Sequence, residues 1–104
     1  MPETPRSALL VVEVVVDPAD EAELHRWYDD EHIPEKRATP GFRSARRFAH
    51  ASDPGRFLAV YEVDDPDVVT SPAYMSQPLS AWTESVMASW RTWSRDVWVE
   101  ITRA

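Results

Sequence analysis

From Ala8 to Val16 the chain is β-branched or leucine almost without a break, interrupted only by Glu13. That composition predicts a central strand buried on both faces. Asp17-Pro18, with Asp20 close behind, reads as a helix start: an N-cap acceptor, a proline where no N–H is needed, and negative charge in the first turn. The helix is predicted over 18–32. Leu24, Trp27, Tyr28 and Glu31 share one stripe of it at i, i+3, i+4 and i+7, while Glu21, Arg26 and Asp30 point elsewhere. Pro34 cannot donate to the helix and disfavours α geometry at Ile33, so a kink is expected there, followed by a short turn to about Arg37.

After the turn Pro40-Gly41, Phe42 to His50 alternates, placing Phe42, Ser44, Arg46, Phe48 and His50 on one face against Arg43, Ala45, Arg47 and Ala49. The turn signal Ser52-Asp53-Pro54-Gly55 joins this strand to a third, Phe57 to Val63, in an antiparallel hairpin. Asp64-Asp65-Pro66 starts a short helix to about Thr70, Ser80 to Ser89 is a further helix, and Trp93 to Ile101 is the fourth strand. The order βαββαβ is the ferredoxin-like α+β plan, one four-stranded antiparallel sheet with helices on one face. The other face would stay bare in a monomer, and a homodimer packing sheet against sheet is the expected remedy.

The 104 residues, 43% of them hydrophobic, suit one domain spanning 1–104, with an ordered core of about 8–102. There is no cysteine, which removes disulfides and thiolate metal sites and fits a reducing cytoplasm. Met1 to Ser7 holds Pro2, Glu3 and Pro5 where an export signal needs a basic start and an apolar run, so no export is expected. The first strand is far short of a membrane span. With net charge −7 and one lysine, Lys36, among eleven basic residues, nucleic acid is a poor partner. Arg43, Arg46 and Arg47 form the one arginine cluster.

The helix end Trp27-Tyr28-x-x-Glu31-His32-x-Pro34, the turn Thr39-Pro40-Gly41-Phe42 leading to Ala45-Arg46-Arg47-Phe48, the strand Phe57 to Glu62, and Ser71-Pro72-Ala73-Tyr74 together resemble the EthD-like group of dimeric α+β barrel proteins. The resemblance covers Leu9 to Trp82. It implies a dimeric barrel, in a superfamily that includes cofactor-independent monooxygenases of aromatic polyketide pathways, polyketide cyclases, muconolactone isomerases and haem-dependent enzymes. It argues for fold more strongly than for any one reaction.

The densest chemistry is at Glu31-His32. An imidazole near its ordinary pKa of about 6.5 exchanges protons readily at neutrality. Tyr28 lies at i−4, and Asp29 at i−3 is placed to fix the ring tautomer; Glu31 is the alternative orienting carboxylate. Against this stands a purely structural role for both residues at the kink. His25, Asp29 and His32 follow one helical face, but the two histidines are about 10.5 Å apart along the axis, so no metal is expected. His32 or His50 as a haem ligand lacks any supporting motif.

Arg46 is a candidate for binding a ligand carboxylate or phenolate, against an ion pair with Glu62, Glu31 or Glu13. Tyr61 and Tyr74 can donate to a developing oxyanion. Trp27, Trp82 and Trp90 are candidate walls for a flat ligand, whereas Trp93 and Trp98 suit a dimer interface. No glycine-rich phosphate loop, HExxH or GxSxG motif is present.

The expectation is therefore a cofactor-free enzyme acting on a small aromatic or polyketide-like molecule by cyclisation, dehydration or isomerisation. His32, Glu31, Asp29 and Tyr61 would be catalytic, and Trp27, Tyr28, Arg46, Tyr74 and Trp82 would bind substrate. The alternatives are a cofactor-independent monooxygenase, in which a deprotonated phenol reacts with dioxygen, and a non-catalytic ligand-binding or assembly protein.

Overall fold

The computed structural model describes residues 6–102; the expectation of no export signal at Met1–Ser7 falls mostly outside that range. Strands β1 (Ala8–Val16), β2 (Phe42–Ala49), β3 (Arg56–Val63) and β4 (Trp90–Val99) form one sheet in the order β2-β3-β1-β4, every neighbouring pair antiparallel. Helices α1 (Glu21–Trp27), α2 (Ile33–Arg37), α3 (Pro72–Met75) and α4 (Ala81–Ala88) complete the ferredoxin-like α+β plan. Short 3-10 turns occupy Pro18–Asp20 and Pro66–Thr70.

The core lies between the helices and one face of the sheet, where Leu10, Val14, Leu24, Trp27, Tyr61 and Val63 are buried. β1 is covered on that face alone. Its other side, with Leu9 37% exposed, joins Phe48 and Trp98 on the bare face, so the continuous apolar run does not mean burial on both faces within one copy. The run therefore leaves part of its apolar surface exposed on the open face of the sheet.

Two local features depart from regular periodicity. The helix predicted over 18–32 is regular only through Trp27; Tyr28–His32 is a π turn, with the Ile33 amide bonded to the Tyr28 carbonyl. Pro34 supplies the reason: in a regular helix its ring would strike the carbonyl four residues back, and a widened turn relieves that clash. In β2 the pairing register shifts between Phe42 and Ser44. This bulge puts Phe42 on the helix face, against Tyr61 and Tyr74, whereas Arg46 remains on the bare face. The shared face expected for Phe42 and Arg46 is corrected accordingly.

Gly41 makes the turn into β2 possible. Its φ is +91°, and a Cβ there would lie 2.5 Å from Val68 Cγ2. Its carbonyl accepts from the Asp64 amide at 2.9 Å, tying the start of β2 to the end of β3. Among the described residues no helix is long and apolar enough to cross a membrane.

Candidate active site

The π turn governs where the imidazole goes. Residues 27 and 32 are five apart, which in a regular helix separates them by about 140° around the axis. The wider turn brings them to one side, and the His32 ring stacks on Trp27 with centroids 4.3 Å apart and planes at 22°. Tyr28 and Tyr61 meet His32 edge-on, at 5.4 and 6.1 Å. The result is an aromatic box around one imidazole, whose open side lines a cavity of about 190 Å³ shared with Lys36, Tyr74, Gln77, Leu79 and Thr83.

That setting changes the chemistry expected of His32. Burial, with Lys36 and Arg47 nearby, lowers its pKa to about 3, and Glu31 opposes this only in part. The ring is a neutral imidazole at physiological pH, able to donate one hydrogen bond and accept another. It does not titrate near 6.5 as an ordinary histidine would.

Glu31 faces the opposite element. Its Oε2 accepts from Trp27 Nε1 at 3.2 Å, Ser80 Oγ at 2.7 Å and Thr83 Oγ1 at 3.0 Å. These donors, Ser80 first, hold its pKa below the usual carboxylate value. Ser80 is also the N-cap of α4, accepting from the Thr83 amide, so Glu31 ties the π turn to the start of α4 and braces the cavity wall. Asp29 is exposed and makes no hydrogen bond to His32; the π turn carries it to the surface.

The remaining candidates divide between cavity, core and surface. Tyr74 lines the cavity, stacked on Phe42, with Lys36 Nζ 4.8 Å from its ring centre and its hydroxyl accepting from Arg95 at 3.3 Å. Tyr61 is fully buried with an unpartnered hydroxyl whose pKa burial pushes far up. Tyr28 is buried beneath the Arg47 guanidinium, 4.0 Å from its ring centre, and burial raises its pKa to about 12. Trp27 is a core residue whose Nε1 also donates to Thr83 at 3.0 Å. Trp82 lies away from the cavity, fastened to Glu23 at 2.6 Å. Arg46 is exposed over Phe48 on the bare sheet face, and the Glu13 considered as its partner is paired with Arg56 instead.

Arg47, rather than Arg46, is the arginine that enters the helix layer. It bonds His25 Nδ1 at 3.0 Å and leaves its Nε buried without a partner. Burial lowers its pKa. Among the described residues no three His, Asp or Glu side chains converge as a metal site. A larger concavity, about 670 Å³, lies on the bare face beside Leu9, Glu62 and Trp98. It is an open groove on the surface, whose lining also includes Arg43 and Glu100, whereas the His32 cavity is the one closed in by the helix layer.

No family model matches this sequence, and no curated protein does. Solved structures do match in three dimensions. Rv0793 from Mycobacterium tuberculosis superposes with a TM-score of 0.70 at 18% identity, over 94% of this chain and 98% of its own. A candidate antibiotic biosynthesis monooxygenase from Caulobacter crescentus gives 0.72 at 12%, covering 95% and 93%. SnoaB, a cofactor-independent oxygenase from Streptomyces nogalater, gives 0.68 at 12%, covering 94% and 96%. The chain shares the fold of these three proteins.

Lys36 and Gln77 are the site residues that sequence reasoning missed. Lys36 is 8% exposed and donates to Gln77 Oε1 at 2.5 Å and Glu35 Oε1 at 3.3 Å. Its signal in the sequence is that it is the single lysine of the chain, which bears on charge and says nothing of position.

Proposed function

We propose that this chain is a small-molecule enzyme of the cofactor-independent monooxygenase type, binding a compact phenol or enol in the His32 cavity. The observation that carries the reading is the neutral imidazole of His32, boxed by Trp27, Tyr28 and Tyr61 and open on one side to a cavity with a lysine. A neutral imidazole can accept the substrate hydroxyl's hydrogen bond, and the electron-rich anion left after proton loss is the species that reacts with dioxygen. Proton-shuttling cyclisation, dehydration or isomerisation needs a group that gains and loses its proton near neutrality. Burial moves His32 away from that range; this weighs on proton abstraction from a phenol as well, so the preference for oxygenation rests on the fold likeness to SnoaB.

The cavity sets a size. About 190 Å³ equals roughly six water volumes, room for one or two fused rings. Placement in the EthD-like group rests on Trp27-Tyr28-x-x-Glu31-His32-x-Pro34. Homodimerisation through the bare sheet face rests on Leu9, Phe48 and Trp98, which are 37%, 37% and 61% exposed.

Oxygen-electrode measurements on a panel of one- and two-ring phenols and enols test the reading. Oxygen uptake that depends on protein and is lost in His32→Ala is the expected result. Product formation without oxygen uptake would restore the cyclase or isomerase reading. Binding without turnover of any panel member would leave a ligand-binding protein.

A further inference from the structure

The cavity contains a cation that nothing in the fold requires to be there. Lys36 is the only lysine of a chain with net charge −7, yet its side chain is 10% exposed, on α2 one turn beyond His32. Holding a lysine still forfeits rotamer freedom that an exposed lysine keeps. A chain of hydrogen bonds does hold it: Lys36 Nζ donates to Gln77 Oε1 at 2.5 Å, Gln77 Nε2 donates to Thr39 Oγ1 at 2.6 Å, and Thr39 Oγ1 donates to the Glu35 carbonyl at 2.9 Å. Gln77 and Thr39 are neutral. The one carboxylate in reach, Glu35, is 40% exposed at 3.3 Å, a contact that water weakens. An ammonium has three N–H groups, and two acceptors are supplied; the Tyr74 ring face stands 4.8 Å away.

A ligand in this cavity therefore meets a fixed, incompletely neutralised ammonium beside a neutral imidazole. We infer that Lys36 is the anion-holding residue of the site and that the cavity selects ligands carrying an acidic oxygen, a phenolate, enolate or carboxylate, over neutral molecules of the same shape. The inference rests on the His32 cavity being the ligand site. It also answers a difficulty of that reading. A phenol of ordinary acidity, near 10, keeps its proton at pH 7 unless the oxygen anion is stabilised, and a charged donor at the cavity wall lowers that cost. The O–H bond breaks, its electron pair stays on oxygen against the Lys36 ammonium, and the proton passes to water. Lys36 is thus a substrate-binding group, and Gln77 and Thr39 are positioning residues.

The test is a matched pair of two-ring probes, 2-naphthoate and 2-naphthamide, titrated at pH 7 by calorimetry with the His32 ring resonances followed in parallel. Wild type is expected to bind the carboxylate roughly tenfold or more tighter, the range of a hydrogen bond to a charged group. Lys36→Met should erase that preference with little change for the amide, and Lys36→Arg should restore part of it. Gln77→Ala should weaken the carboxylate alone. Equal affinity of wild type for both probes overturns the inference and needs no variant, so misfolding of Lys36→Met cannot shelter it. If both probes bind and shift His32 equally, the cavity reading stands and only the role of Lys36 falls. If neither binds, both fall.

Discussion

Replacing His32 by glutamine removes an imidazole that the native protein holds neutral, and with it a pH dependence whose size follows from the site. In the folded chain His32 takes a proton only near pH 3, whereas in the unfolded chain it does so near its ordinary value of about 6.5. Between these values the unfolded state binds the extra proton, so stability rises with pH. The contribution is fully present above about pH 6.5 and is lost as pH falls toward 3, at most about 5 kcal/mol over the whole window. From pH 7 to pH 4.5 the loss is about 2.5 kcal/mol. Urea unfolding of wild type and His32→Gln across this range isolates it, because carboxylates titrating in both proteins cancel in the difference. The variant should start lower at pH 7, having lost the stack on Trp27, and then decline less steeply, the two curves converging by about 2.5 kcal/mol at pH 4.5. Parallel curves would show that His32 titrates normally, and the account of a desolvated aromatic box around it would be refuted.

Three further perturbations follow from the structure. Gly41→Ala forces a side chain into a positive-φ position against Val68 and should cost about 2 kcal/mol, read as a lowered denaturation midpoint; an unchanged midpoint would mean that the turn is not as described. Glu31→Ala removes the acceptor shared by Trp27, Ser80 and Thr83, so tryptophan emission should shift to the red and ligand affinity fall, whereas Glu31→Gln, which keeps an acceptor oxygen, should do less; equal effects would contradict the bracing role. For the proposed dimer through the bare sheet face, wild type should sediment as a dimer and Trp98→Arg as a monomer with the His32 resonances unmoved; a monomeric wild type or a persistent dimer would refute that interface.

The strands were legible because each carries its own short signal: the β-branched run of β1, the alternation of β2, the Ser52–Gly55 turn and the β-rich run of β3. Position along the chain was read well, and side-chain direction less so. Helical periodicity assumes a regular turn, and the π turn before Pro34 rotates every later side chain; the stripe through Glu31 was therefore visible, whereas the His32 stack on Trp27 and the inward course of Lys36 were not. The bulge after Phe42 had the same effect in β2, exchanging the parts assigned to Arg46 and Arg47. The cavity wall at Gln77 to Leu79 comes from a segment without periodic pattern, placed by the Glu31–Ser80 tie across 49 residues of sequence. A contact of that range has no local signature to read.

The proposed small-molecule site is the cavity between the π turn and the start of α4. A crystal structure with 1-naphthol bound tests it most directly. The naphthol ring is expected between Tyr74 and the His32 box, its hydroxyl about 3 Å from an imidazole nitrogen. A naphthol seated in the groove beside Glu62 and Trp98, with the His32 cavity filled by protein, would contradict it.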